Sequence, residues 1–226
     1  MIDLGYLWHL YGPPFVSGAI TTLYVTFVSV GLGVAIGVPL ALVRLYGPRT
    51  LGLLANVYIE VFRGTPLLVQ LFVIYYGLPS YGILFDPLSA AFITLGMNSG
   101  AYQAELYRGA VQSVDSGQIT AARAIGMNQR QAMRYVVLPQ ALRAVLPSWS
   151  NELIGVMKGT AVVFLISVQD LMGEAKIIFG RTFEPIQAYS VVAVVYLVLI
   201  GATVVSLGAL ERRLRLPTLD VGTGRR

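Results

Sequence analysis

Two stretches of this chain are too long and too apolar to belong to a water-soluble fold. Phe15 to Val43 and Gln187 to Leu210 carry no charged residue. A helix needs about 20 mostly apolar residues to cross a bilayer, and both exceed that. Backbone in lipid must bond to itself, so an open chain satisfies it only as helix. Three further segments reach the length with a few charges inside. About 53–78 contains Glu60 and Arg63, about 87–107 contains Glu105, and about 144–168 contains Glu152 and Lys158. The pattern predicts an all-α polytopic membrane protein with about five transmembrane helices.

Composition agrees. Charged residues are 12% of the 226, against roughly 25% in a soluble domain, and the mean hydropathy is +0.70. Cysteine is absent and His9 is the single histidine. That removes disulfides, thiolate nucleophiles and a typical zinc set, so no metal site is expected. No signal peptide is expected either: residues 1–14 lack Lys and Arg, and the apolar run that follows exceeds a signal h-region of about 7–15 residues. Tyr6, Trp8, His9 and Tyr11 suit an interfacial segment over 1–14.

Direction follows from the basic residues, which favour the cytoplasmic side of short loops. With the N-terminus outside, the inner loops and tail hold Arg44, Arg49, Arg108, Arg123, Arg130, Arg134, Arg143, Arg212, Arg213, Arg215, Arg225 and Arg226, and the outer loops hold Lys176 and Arg181. The spanning region is then 15–211, with a cytoplasmic loop at about 108–138 and a cytoplasmic tail at 212–226.

Some patterns mislead. Gly31, Gly33 and Gly37 imitate a dinucleotide fingerprint, but the spacing is wrong and no strand precedes them. Gly33 and Gly37 instead form GxxxG, which brings membrane helices close together. No GxxxxGK[ST] loop occurs, so the chain has no evident means of binding ATP itself. Nothing suggests nucleic acid as a partner.

The loop reads Gly117-Gln-Ile-Thr-Ala-Ala-Arg-Ala-Ile-Gly126 and, after Met127 to Tyr135, Val136-Val-Leu-Pro139. Its Ala, Gln and Arg content predicts short surface helices over 118–134. It resembles the EAA loop of ABC importer permeases. Ala121, Ala122, Gly126, Leu138 and Pro139 match at the right spacing, Val136 replaces Ile, and Thr120 stands where the first Glu belongs. Small residues at Ala121, Ala122 and Gly126 leave a smooth surface that can seat in another protein. The resemblance implies that Gly117, Thr120, Ala121, Ala122, Arg123 and Gly126 couple to a cytoplasmic ATPase.

Three further signatures occur in order. Glu60-Val-Phe-Arg-Gly-Thr-Pro-Leu-Leu-Val-Gln70, Asn98-Ser-Gly-Ala-Tyr-Gln-Ala-Glu105 and Asn151-Glu152 followed by Lys158-Gly-Thr160 are similar to the polar amino acid uptake family of ABC permeases, over about 16–210. Independently, Gly64-Thr65-Pro66 predicts a broken span, because Pro lacks a donor and clashes with the preceding turn. Transporters place substrate at such breaks, and charges inside spans are costly enough to suggest function. Glu60 and Arg63, or Glu105 and Arg108, also have the spacing of simple helix pairs, and Lys158 suits an interhelical ion pair as well as a ligand.

The resemblance implies a substrate site between these segments, with Glu60, Arg63, Gly64, Thr65, Asn98, Ser99, Tyr102, Lys158, Gly159 and Thr160 as candidates. It implies an ATP-driven importer subunit of the bacterial inner membrane that makes and breaks no bond. ATP and Mg would bind a partner ATP-binding cassette ATPase. A second permease copy or homologue would complete the path, and an extracytoplasmic solute-binding protein would deliver a polar amino acid. Gly159 stands where permeases for cationic substrates carry an acid, whereas Thr160 to Phe164 and Phe183 to Tyr189 look like the histidine, arginine and opine branch; both readings of the substrate stay open. The rival function is a channel subunit that conducts without ATP.

Overall fold

The computed structural model describes the backbone of residues 4–214 and the side chains of 12–213. The side chains of Tyr6, Trp8, His9 and Tyr11, and the tail arginines Arg215, Arg225 and Arg226, lie outside the described residues. Every regular element described is helical. α1 spans Leu4–Tyr46, α2 Arg49–Gly64 and α3 Leu67–Phe72, which runs on through a π turn (Val73–Gly77) and a 3-10 turn (Leu78–Tyr81). α4 spans Pro87–Gln112, α5 Ser116–Ala124 and α6 Gln129–Ala132, which a π turn (Met133–Val137) joins to α7, Leu138–Gly159. After a 3-10 turn (Thr160–Ile166) come α8, Leu171–Thr182, and α9, Pro185–Leu214.

Three helices are long and apolar enough to cross a membrane, or four when the bent α2–α3 pair is taken as one span. The expected third span, α4, has 26 residues but falls short in apolarity. The reason is its position. α4 packs against α1, α2, α3 and α7, so Thr94, Ser99 and Gln103 are buried in protein and need not be lipid-soluble. α1 begins at Leu4, so the helix runs through the expected boundary at residue 14 without a break.

Small residues set the α1–α4 approach. A Cβ at Gly37 would lie 2.9 Å from both the Gly100 carbonyl oxygen and Gln103 Cβ, and one at Gly100 would lie 2.8 Å from Ile36 Cγ2. The expected GxxxG contact is therefore a seam within this chain. The main apolar core gathers Val25 and Val30 of α1, Leu71 of α3, Leu95 of α4, Leu153 and Met157 of α7 and Ile166 beyond it. A second core joins Phe15, Leu171, Ile178 and Val192 of α1, α8 and α9. α8 has no counterpart in the sequence reading: it is 12 residues long and carries Glu174, Lys176 and Arg181, too short and polar for a span.

The ends follow local chemistry. Pro87 starts α4 behind the Asp86 cap, which accepts from Ser89 N at 3.1 Å; proline suits this place because its missing N–H would have no partner there. Asp115 caps α5 through Gly117 N, 2.6 Å. At the other end of α5, Met127 N donates to Ala122 O and Gly126 N to Arg123 O, with Gly126 at φ +89°. This is the left-handed C-terminal turn that glycine favours. Asn128 and Gln131 then form a reciprocal capping box at the start of α6.

Candidate functional site

The break in the second span is built as the sequence predicts, and the sequence also dictates its form. Thr65 is held extended, at φ −114° and ψ 146°, the conformation favoured for a residue before a proline. α2 and α3 meet at 106°. The turn leaves the carbonyls of Phe62 and Thr65 without helical partners, and side chains replace them. Gln70 Nε2 donates to Phe62 O (2.8 Å), Thr65 O (3.0 Å) and Thr65 Oγ1 (2.8 Å). Asn98 Nδ2 donates to Phe62 O (3.0 Å) and to Gln70 Oε1 (3.1 Å). The break is thus pinned from α3 and α4 at once, and buried polar groups in lipid demand such partners.

The other candidates divide into an exposed and a buried set. Glu60, Arg63, Gly64, Thr65, Tyr102 and Lys158 are exposed. Arg63 and Glu60 form no ion pair among the described residues; instead the Arg63 guanidinium lies over the Tyr102 ring, 5.2 Å from its centre. Lys158 likewise has no acidic partner among the described residues. Ser99 and Thr160 are fully buried. Ser99 donates to Glu152 Oε1 at 2.8 Å, and Thr160 Oγ1 donates to Met157 O at 2.8 Å. Gly159 lies under α3, where a Cβ would meet Leu67 Cδ2 at 3.2 Å. Asn98 is half-buried, its amide engaged as described.

α7 shows the exposed set most clearly. Ser148, Asn151, Gly155 and Lys158 are all exposed, and their spacing of 3, 4 and 3 puts them on one helix face. This polar strip runs along a span whose other exposed residues include Leu138 and Leu142. Lipid does not tolerate such a strip: a lysine at the middle of a span costs about 2.5–3.5 kcal/mol. The strip therefore faces a second protein or a water-filled path. Behind it, Glu152 reaches Ser99. Gln103, which the sequence reading did not single out, joins the interior by donating to Ser99 Oγ (3.0 Å) and Val30 O (3.2 Å) and accepting from Tyr107 (2.6 Å) and Trp149 Nε1 (3.1 Å). In the sequence Gln70 stands out only as the end of a signature. A lone carboxamide in an apolar run five residues after the broken turn is the signal that marks it.

At the far end of the bundle Glu105 takes both Arg44 of α1 and Arg108, 2.7 Å from the latter. The expected Glu105–Arg108 pair is present, extended to a triad. Tyr46 OH meets Met133 Sδ at 3.3 Å, which ties the end of α1 to the α5–α6 module. In that module Gly117, Thr120, Ala121, Arg123 and Gly126 are exposed, whereas Ala122 is buried against its own chain. The protruding apolar residue is Ile125, 77% exposed. The small-residue surface is narrower than the sequence suggests, with one bulky side chain at its tip.

Among the described residues no group of acidic or histidine side chains could hold a metal ion.

Known proteins share this arrangement. Residues 33–216 match the family model described as binding-protein-dependent transport system inner membrane component. The glutamine transport system permease GlnP of Escherichia coli is 37% identical over 206 residues, 90% of this chain and 94% of GlnP. The nopaline transport system permease NocM of Agrobacterium fabrum is 37% identical over 195 residues, covering 82% of this chain and 81% of NocM. A crystal structure of an amino acid ABC transporter with histidines superposes with a TM-score of 0.89 at 41% identity, covering 94% of this chain and 99% of that one. The MetNI methionine ABC transporter shares the fold at 22% identity, with a TM-score of 0.77 and coverage of 95% and 100%. The chain therefore belongs to the inner-membrane components of binding-protein-dependent transport systems, the permease subunits of ABC transporters.

Proposed function

We propose that this permease passes a polar amino acid through a path lined by the broken span and the polar face of α7. The observation that carries the reading is that exposed strip, Ser148, Asn151, Gly155 and Lys158, inside a membrane-length helix. Glu60, Arg63, Gly64, Thr65 and Tyr102 extend it on α2 and α4. An amino acid needs a cation or donors for its carboxylate and an acid or acceptors for its ammonium. Lys158 and Arg63 supply the first and Glu60 the second. Ser99, Thr160 and Gly159 act from behind the wall, and Asn98 holds the break in shape. The relatives named for glutamine and nopaline support an amino acid as cargo.

The path closes around a second permease, either a copy of this chain or a homologue. The ATPase seats on the exposed side of α5 and its C-terminal turn, with Ile125 in its groove. ATP and Mg bind there and not to this chain. An extracytoplasmic binding protein delivers the solute to the outer face of the bacterial inner membrane. The charge pattern supports that direction: Arg44, Arg108, Arg130 and Arg134 gather at the end that bears α5 and α6. ATP moves the wall only if the ATPase favours one arrangement of the permease over the other.

Reconstitution tests the reading. The chain, with the ATP-binding cassette subunit and binding protein of its operon, is placed in liposomes and offered labelled amino acids. ATP-dependent uptake of at least one polar amino acid is expected. Uptake that persists without ATP contradicts the proposal.

A further inference from the structure

We propose that a cleft between α1, α4 and the start of α7, with Arg130 and Arg134 at its mouth, binds one anionic phospholipid of the cytoplasmic leaflet. The proposal goes beyond the transport reading and rests on it for orientation alone. The cleft has a volume of about 260 Å³ and an almost wholly apolar wall, including Val38, Leu42 and Leu45 of α1, Val111 of α4, and Leu138 and Leu142 of α7. A second, shallower cavity of about 480 Å³ adjoins it, lined by Tyr46, Gln129, Arg130, Met133, Arg134 and Leu138. Leu138 belongs to both, and Leu45 and Tyr46 are consecutive. A hydrocarbon slot therefore opens onto a basic rim.

The rim is electrically unsatisfied. Arg130 and Arg134 are exposed, one helical turn apart, and neither forms an ion pair among the described residues. The Arg134 guanidinium stands 5.8 Å from the centre of the Tyr135 ring, a contact that leaves its charge without an acidic partner among the described residues. A phospholipid supplies both complements on one molecule, an acyl chain for the slot and a phosphate for the arginines. Basic pockets between membrane helices on the cytoplasmic side recognise anionic headgroups in this way. A second copy related by a two-fold axis through this cleft would bring its own arginines to the same rim. The cleft also lies off the proposed path: at 100° per residue, Leu138 and Leu142 lie roughly 80–180° around α7 from Ser148, Asn151, Gly155 and Lys158.

Native mass spectrometry of the purified full-length chain tests the site, using phosphatidylglycerol and phosphatidylcholine of the same acyl chains. The wild type should retain phosphatidylglycerol on the order of twentyfold better, about fivefold for each arginine near the surface. R130Q/R134Q should abolish that preference and R130K/R134K should keep most of it. Leu142→Trp, at an exposed position on the cleft, should lower retention of both lipids. R212Q/R213Q, a charge-matched change at the end of α9, should leave the preference intact. Equal retention of the two lipids by the wild type, equal loss in the α9 control, or undiminished preference in R130Q/R134Q overturns the proposal. So does a double variant that loses the ATPase while keeping phosphatidylglycerol, since the arginines then serve the ATPase. A wild type that holds phosphatidylglycerol but never associates with an ATPase upholds the lipid site and contradicts the transport reading instead.

Discussion

Gln70 offers a sharp test of how the broken span is held. Its Nε2 bonds to both carbonyls freed by the turn, and its Oε1 accepts from Asn98. Gln70→Ala removes the bond to Thr65 O, one of two bonds to Phe62 O, and the acceptor of Asn98. An orphaned buried polar group costs about 1–3 kcal/mol and an ordinary bond about 1 kcal/mol net. Thr65 is exposed and water can reach it, so its share falls at the low end. The sum is about 2–4 kcal/mol. Gln70→Glu separates donation from packing. It keeps the volume and the acceptor for Asn98 but turns a carboxylate oxygen toward two carbonyl oxygens, so it should destabilise at least as much as Gln70→Ala. The assay is SDS-induced unfolding of the purified chain, with uptake measured in parallel. If Gln70→Glu stays within about 0.5 kcal/mol of wild type, the range of a harmless substitution, the bonding account is wrong and Gln70 merely fills space.

Other expectations follow from the same geometry. Gly126→Leu places a side chain in a left-handed turn, costing about 1–2 kcal/mol, and by redirecting α6 it should weaken ATPase association in co-purification. Gly37→Val drives a side chain into the Gly100 carbonyl and Gln103, and should lower the thermal midpoint of the chain in detergent far more than Gly31→Val, where a Cβ meets nothing within 4 Å. Asp86, outside the spans, has its carboxyl held below its ordinary 3.8 by bonds from Ser89, the side-chain bond first. A depressed value means stabilisation that is full above 3.8 and lost as pH falls through the lower, folded-state value. Protection of the first-turn amides of α4, taken relative to their intrinsic exchange rates, should therefore fall in acid below pH 3.8, and Asp86→Asn should flatten that fall.

Much of this was legible in the residues. Gly64-Thr65-Pro66 favours a break for local reasons, since glycine and threonine are weak helix formers and Pro66 removes a donor from its own backbone, whereas Pro39 and Pro147 alone leave α1 and α7 continuous. Gly126 closes α5 and Pro87 opens α4 for equally local reasons. The Glu105–Arg108 pair follows from helical spacing. What stayed hidden depends on neighbours distant in sequence. Ser99 and Thr160 look like pocket groups until α7 and the helix turn bury them. Arg63 has a suitable acid three residues before it, yet it lies over Tyr102, 39 positions away. Ala122 reads as surface because the alanine carries no sign of which face the π turn covers. α8 leaves no span-like signal because a short helix under two long ones needs neither the length nor the apolarity of a span.

The chain contains no cysteine, so single cysteines report the path directly. Introduced at Asn151, Gly155 or Lys158 in the assembled transporter, each should react with a membrane-impermeant maleimide, at a rate that changes when ATP is added. Cysteines at Leu142 and Val198, exposed apolar positions of the spans, should stay unlabelled. Labelling confined to the latter pair, or labelling of the α7 strip that ignores ATP, would contradict an ATP-driven path along α7.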